Sequence, residues 1–370
     1  MGYLARLLEA KKRAVEALSD VVGEKGVSRA RLDHHSKRRP RPCGITIHTG
    51  RGCTNSCLYC YAIDMGFPSV DEPYPLSPEE LVLALALNPY VVPERTFAAF
   101  GSVVEPFLPR TAAYTARCIR LVREHLKLPC QVSTKMVLSD ELLDEVSRAD
   151  PKLSLLVTVV TIARASILEP RAPPPEARLE SARRALSKGV APSLFLRPLI
   201  PSVVEYEARA ILELASGFGI NSVVAGSLRI TKGILDRLAR AGIEISKIVS
   251  RAPRIPRGGR DQVAIRCSDL KSMVRRIAVE KGFLFFDSAC QANVWSHGQY
   301  CAACRFGPCG DRRREPKITE SDVNEFLEMI GSRARCETID YSRLVVRGRV
   351  SSYAVEVLRQ ASRRRVEVVK

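Results

Sequence analysis

The chain is 370 residues long, 46% hydrophobic and 26% charged, which is enough for a large core and usual for a water-soluble globular protein. Residues Met1 to Lys25 are charged and amphipathic and no apolar run is long enough to cross a bilayer, so neither a secretory leader nor a membrane span is expected. The 58 Lys and Arg against 40 Asp and Glu, a net charge of +18, suit a polyanionic partner, above all nucleic acid, although an Arg-rich chain adapted to heat shows the same balance. Twelve cysteines, seven of them in two tight groups, read as metal ligands in a reducing cytoplasm rather than as a disulfide framework.

In chain order, Tyr3 to Val22 sets Leu4, Leu7, Leu8, Ala14, Val15 and Leu18 on one side, the pattern of an amphipathic helix. The basic arm from Arg29 to Arg41 either touches phosphates or is a solvated linker; His34 and His35 within it have no matching ligand spacing nearby. Ile45-Thr46-Ile47-His48 alternates as a short strand and runs into the loop Thr49 to Gly66. There Cys53, Cys57 and Cys60 stand at C-x3-C-x2-C spacing, with Gly50 and Gly52 permitting sharp turns. Three thiolates on one short loop suit a metal cluster, and a four-iron cluster so held keeps one iron open; a zinc site lacking a ligand or three unrelated buried thiols are the alternatives. A strand ending in such a loop is the layout of a cofactor site at the C-terminal end of a barrel strand.

Ser77-Pro78-Glu79-Glu80 opens a helix through Leu87, with Ser77 as cap, Pro78 in the first position and Glu80 closing a capping box. Strands and helices then alternate: strands at Thr96–Phe100, Gln131–Ser133, Leu153–Thr161, Ser193–Leu196 and Ser222–Ala225, helices at Ala112–His125, Asp140–Arg148, Glu176–Ser187, Glu205–Ser216 and Thr231–Ala241. With the Ile45 strand these make six βα units and imply a parallel sheet with right-handed crossovers.

Cys53, Cys57 and Cys60, with Tyr59 just before the last, resemble the radical S-adenosylmethionine (radical SAM) motif. Further landmarks are Gly101-Ser102-Val103-Val104-Glu105-Pro106, Ser133-Thr134-Lys135, Leu168-Glu169-Pro170-Arg171-Ala172-Pro173 and Arg197-Pro198-Leu199-Ile200-Pro201. Together they are similar to the subgroup that includes spore photoproduct lyase and the proteins loosely called DNA repair photolyases, over roughly Cys43 to Gly242. The resemblance implies a partial (β/α)6 TIM-like barrel and a [4Fe-4S] cluster on Cys53, Cys57 and Cys60. It also implies S-adenosylmethionine chelated to the open iron, and an electron donor such as ferredoxin or flavodoxin. It places Tyr59 near the adenine, gives Gly101, Ser102 and Lys135 the methionine end of the cofactor, and brings Thr158 to it from the fourth strand. Reductive cleavage to a 5′-deoxyadenosyl radical, which takes a hydrogen atom from a substrate, is the implied activity. Spore photoproduct lyase has a hydrogen-donating cysteine just before the serine that matches Ser102. Here Phe100 and Gly101 stand there, so the resemblance reaches the cofactor chemistry rather than thymine-dimer repair.

Beyond Gly242 the alternation breaks. Arg251 to Arg260 is a Pro/Gly/Arg loop with four arginines, either a cradle for a phosphate backbone or a solvated linker. Ser268–Glu280 reads as a helix and Phe283–Phe286 as a buried strand. Cys290, Cys301, Cys304 and Cys309 supply four soft ligands, enough for a structural zinc or a second iron–sulfur cluster; His297 could replace one thiolate, though a second-layer role is commoner. Cys43, Cys118, Cys130, Cys267 and Cys336 read as small buried hydrophobes, with Cys267 and Cys43 also open as further ligands or hydrogen donors. Arg312-Arg313-Arg314 is a third basic run. Thr319 to Asp322 caps a helix through Ile330, and Leu344–Val346, Tyr353–Gln360 and Val366–Val369 follow as strand, helix, strand. The expected organisation is an N-terminal helix and basic arm over 1–42, the barrel over 43–245, and a cysteine-rich region with a small α+β lobe over 246–370. The competing function is a nucleic-acid-binding protein whose metal sites are structural.

Overall fold

The computed structural model describes residues 1–41 and 43–369. Six strands follow the expected alternation: β1 (Ile45–Ile47), β2 (Ala98–Phe100), β3 (Cys130–Thr134), β4 (Ser154–Thr158), β5 (Ala191–Leu199) and β6 (Ser222–Ser227). A short antiparallel pair, β7 (Arg229–Ile230) and β8 (Val263–Ala264), precedes β9 (Leu284–Phe286). The main sheet has seven strands in the order β1-β2-β3-β4-β5-β6-β9, every pairing parallel. This is a partial TIM-like α/β barrel with one strand more than the six units expected. The added strand is the segment read separately as Phe283–Phe286; Val223 pairs with Phe285, so the sheet runs on past residue 245. Only Phe286 of β9 is fully buried, because an edge strand has one covered side.

Local chemistry accounts for several helix boundaries. The capping box forms as expected at Ser77 and Glu80, with Pro78 in the first turn of helix Pro78–Leu87. A second box, Thr319 with Asp322, starts helix Glu320–Met329. The N-terminal helix differs: it continues to Leu32, broken only at Gly23, whose φ of 66° glycine alone adopts without strain. The basic arm is therefore half helix, and three of its charges find partners while Arg29 and Arg39 stay more than half exposed. Arg29 pairs with buried Glu80, Arg39 with buried Glu356, and Arg38 Nη1 lies 3.1 Å from His48 Nε2.

The C-terminal lobe is a three-stranded sheet, β12 (Arg335–Ile339), β13 (Arg343–Arg347) and β14 (Arg365–Val369), preceded in the chain by a two-residue hairpin, β10 (Tyr300–Cys301) and β11 (Cys309–Gly310). β12 is absent from the sequence reading because a register shift between Cys336 and Thr338 breaks its alternation. Leu4 and Leu7 pack into this lobe while Ala14 and Leu18 pack on the barrel core, so the first helix joins the two. Arg95 and Glu315, both nearly inaccessible, form an ion pair of 2.9 Å across the same seam.

Candidate active site

One cavity opens at the C-terminal ends of the barrel strands. It holds about 150 Å³ and brings together Cys53, Cys57, Tyr59, Cys60, Gly101, Ser102, Lys135 and Thr158. These are all of the residues assigned to the cluster and cofactor from sequence, drawn from β1, β2, β3 and β4 and the loops that follow them.

The cysteine loop is held rigidly from several sides. Cys53 N–H donates to Pro68 O at 3.2 Å, and a Cβ on Gly52 would lie 2.1 Å from that same oxygen, so only glycine fits there. Arg237 donates to Leu58 O at 3.0 Å and Cys60 O at 3.1 Å while its other end pairs with Asp64 at 2.8 Å. Leu58 N–H reaches Leu168 O at 2.9 Å. The Leu168–Pro173 landmark thus backs the cluster loop instead of ending β4. Its Glu169 accepts a hydrogen bond from the Tyr59 hydroxyl and pairs with Arg178 at 2.6 Å, all of it fully buried. Arg178 in turn donates to Thr158 O at 2.9 Å, which ties the fourth strand into the same network.

The opposite wall is fixed by Glu105. Its carboxylate accepts from Thr134 Oγ1 at 2.6 Å, Lys135 N at 2.9 Å and Phe107 N at 3.2 Å. Burial raises the Glu105 pKa, and those donors and the Lys135 charge oppose the rise. Gly101 adopts a φ of 77°, and a Cβ on it would lie 2.1 Å from Ser133 O; the β2 turn therefore passes directly over β3. Lys135 Nζ lies 5.5 Å from the centre of the Tyr59 ring. Burial disfavours its charge, but the nearby Cys57 and Glu169 charges outweigh that and raise its pKa. Burial also raises the thiols, Cys57 up to about 12 and Cys53 with a further contribution from Glu105. Thiols in that state need a cation beside them to ionise, which iron supplies. No three of the described Cys, His, Asp or Glu ligand atoms in this loop lie within 4.8 Å of one another, a spacing too open for a single ion and suited to a cluster.

Sequence reasoning missed Glu105 as a wall residue, although it stood inside a quoted landmark, and missed the Glu169–Arg178 support. It also missed Arg197 and Arg229, which line the cavity mouth. Among the described residues neither guanidinium has a hydrogen bond or ion pair; Arg197 only stacks over Phe195, 6.0 Å from the ring centre. Two expectations about the arginine loop change. Arg251 pairs with Asp269 at 2.7 Å, and Arg254 grips Asp261, so those two are committed internally. Arg260 reaches the far end of the Thr49–Gly66 loop: its Nη2 would be 3.6 Å from a Cβ on Gly66. Cys118, Cys130, Cys267 and Cys336 are buried as expected, but Cys43 is exposed, because the tight Arg41–Gly44 turn puts it outside the sheet. His297 is not free to ligate: Nδ1 meets Asn293 O at 3.0 Å and Nε2 meets Asp150 at 3.1 Å. Among the described residues the only ligand-type group within 4.8 Å is Asp33, His34 and His35, and it is structural. His35 Nδ1 bonds Asp33, and its Nε2 accepts the His48 N–H at 3.1 Å.

Comparison with known proteins agrees with this geometry. Residues 47–215 match the Radical SAM superfamily, so this segment carries a radical SAM domain, of a class that uses a [4Fe-4S] cluster and S-adenosylmethionine. Among solved structures, the fold is similar to spore photoproduct lyase. Against that enzyme with bound S-adenosylmethionine and dinucleoside spore photoproduct, the TM-score is 0.57 at 16% identity, covering 72% of this chain and 86% of that one. A second structure, complexed with dinucleoside spore photoproduct, gives 0.53 at 16% identity over 66% and 76%. At that identity the likeness is one of fold. An uncharacterized protein, ORF301 of Acidianus two-tailed virus, is 26% identical over 198 residues; the match spans 49% of this chain and 65% of that relative's length. No helix of the described residues is long and apolar enough to cross a membrane.

Proposed function

We propose that this enzyme uses S-adenosylmethionine at the Cys53, Cys57 and Cys60 site to abstract a hydrogen atom from a nucleic-acid substrate. When bound, the cluster and S-adenosylmethionine supply one-electron cleavage to a 5′-deoxyadenosyl radical, with an electron from a donor such as ferredoxin or flavodoxin. The observation that carries the reading is the shared cavity: three thiols, Tyr59, Gly101, Ser102, Lys135 and Thr158 converge on one space at the strand ends. In it the three thiolates hold the cluster and leave one position without a protein ligand. Lys135, its backbone pinned by Glu105, offers a compact cation to a carboxylate. The Tyr59 ring, locked by its hydroxyl to Glu169, forms a fixed wall. Thr158, anchored through its carbonyl to Arg178, presents the fourth strand's edge. Such rigid supports keep reacting atoms close and limit water, the two contributions a protein makes to radical chemistry.

The substrate class rests on charge. Arg197 and Arg229 line the mouth without a hydrogen bond or ion pair among the described residues. Arg197 is exposed there, yet partial loss of water and then the Arg229 charge lower its pKa; an incoming phosphate relieves the repulsion between the two. A base reaching this cavity from a duplex must leave its stack. The free state of all twelve cysteines agrees with a reducing cytoplasm. The test is isotopic: oligonucleotides deuterated on base or sugar are incubated anaerobically with reduced protein and S-adenosylmethionine. Deuterium appearing in 5′-deoxyadenosine supports the reading. Formation of unlabelled 5′-deoxyadenosine at the same rate with and without any nucleic acid would remove nucleic acid as substrate.

A further inference from the structure

The second cysteine group lies inside the barrel, beneath the cofactor cavity. Helix Ala289–Ser296 enters from the strands' N-terminal side. Asn293 Nδ2 donates to Pro129 O, just ahead of β3, at 3.1 Å, and His297 meets Asp150, ahead of β4. The helix's other end packs Ala289 and Ala292 against Leu156, Phe195, Val224 and Phe286. Leu156 shares a face with Thr158, two residues on, and both Thr158 and Phe195 line the cofactor cavity. The helix start, and Cys290 with it, therefore sits under the cavity floor.

The remaining thiols reach the same place from the hairpin. Cys301 on β10 pairs directly opposite Cys309 on β11, and Cys304 lies in the connection between them. Gln291 Nε2 is 3.5 Å from Cys309 Sγ, which docks the hairpin on the first turn of the helix. Cys290 is the neighbour of Gln291 on that first turn, which brings it beside the hairpin.

This segment lacks a core that would hold it. β10 and β11 are two residues each, their apolar cluster is limited to Cys301 and Ala303 with Phe97, Val294 and the partly buried Cys309, and Phe306 is exposed. A short hairpin with thiols where a core would be depends on a cross-link. The cysteines are free, so that link is not a disulfide. A tetrahedral zinc with Zn–S of about 2.3 Å would draw its sulfurs to roughly 3.8 Å from one another. No three of these sulfurs come within 4.8 Å. The wider ring suits a cluster, whose inorganic sulfides fill the middle.

We propose that Cys290, Cys301, Cys304 and Cys309 hold a second iron–sulfur cluster beneath the cavity, and that exposed Cys43 takes no part in it. Four protein ligands close its coordination, so it does not bind S-adenosylmethionine. Its place beneath the cavity floor fits it to exchange electrons with the site above. The test uses the full chain carrying Cys53→Ala, Cys57→Ala and Cys60→Ala, reconstituted anaerobically with ferrous iron and sulfide. About four irons and four sulfides per chain are expected, with a reduced electron paramagnetic resonance signal unmoved by S-adenosylmethionine. If that variant does not fold, the wild type serves: about eight irons per chain, only half of the reduced signal shifting on cofactor addition. Adding Cys304→Ala should lose the second cluster's iron, and Cys43→Ala should lose none. One zinc per chain, no metal, or four irons in the wild type would each overturn the proposal, and iron loss in Cys43→Ala would overturn its ligand set.

Discussion

Replacing Glu169 by alanine tests the buried brace behind the cysteine loop. The change leaves the Arg178 guanidinium without its carboxylate and the Tyr59 hydroxyl without its acceptor, both in fully buried surroundings. Arg178 keeps its bonds to Pro173 O and Thr158 O, so it cannot swing out to water. Breaking one side of a buried pair costs about 3–5 kcal/mol. For a cooperative chain of 370 residues, an unfolding entropy of about 2.1 cal/mol/K per residue gives roughly 0.8 kcal/mol/K in total. A loss of about 4 kcal/mol then lowers Tm by about 5 °C. Because Leu168, next to Glu169, also bonds Leu58 in the loop, reconstituted iron at the primary site should fall together with Tm. Differential scanning calorimetry and iron content are the assays. The double variant Glu169→Leu with Arg178→Met should recover most of the lost stability, since it removes both buried charges. A Tm within 1 °C of wild type for Glu169→Ala, with full iron, would refute the brace.

Further outcomes follow from the same residues. Lys135→Met should weaken S-adenosylmethionine binding about 10- to 100-fold, as expected for loss of one charge-assisted contact, with iron content unchanged; equal affinity by equilibrium dialysis contradicts its role. Arg197→Gln with Arg229→Gln should weaken nucleic-acid binding and flatten its salt dependence, while Arg254→Gln should do little because Arg254 already grips Asp261; the reverse order would move the binding surface away from the cavity mouth. Burial, then the charges of neighbouring His35, His34 and Arg38, depresses His48 to about 3. Its folded value thus lies below the unfolded value of about 6.5, and the unfolded chain binds the extra proton between them. Stability should fall as pH drops from about 6.5 toward 3. His48→Gln should reduce that slope by about 1.4 kcal/mol per pH unit; an unchanged slope in urea titrations contradicts the assignment.

Much of the site was legible because its chemistry is local. C-x3-C-x2-C spacing, a glycine-flanked loop and the strand before it are all contained in about twenty residues, and three of the four landmarks sit within a few residues of a strand end. The capping boxes at Ser77 and Thr319 were readable for the same reason. What escaped depends on contacts between distant segments. Glu169 meets Tyr59, 110 residues earlier, only after the barrel closes, and nothing in the helix of its partner Arg178 distinguishes that residue from a surface arginine. The basic arm looked solvated because its acidic partners, Glu80 and Glu356, lie far along the chain. β9 was recognised as a strand but not as part of the barrel, since short β7 and β8 and the arginine loop separate it from β6. The opposite holds for Arg197: its lack of a partner is visible only once the whole surrounding wall is in place.

The most direct test of the central claim is product formation by the anaerobically reconstituted, chemically reduced wild type given S-adenosylmethionine, followed by chromatography for 5′-deoxyadenosine and methionine. The account requires equal amounts of both from the wild type and neither from Cys57→Ala. Cleavage that persists when Cys53, Cys57 and Cys60 are all replaced by alanine would contradict it.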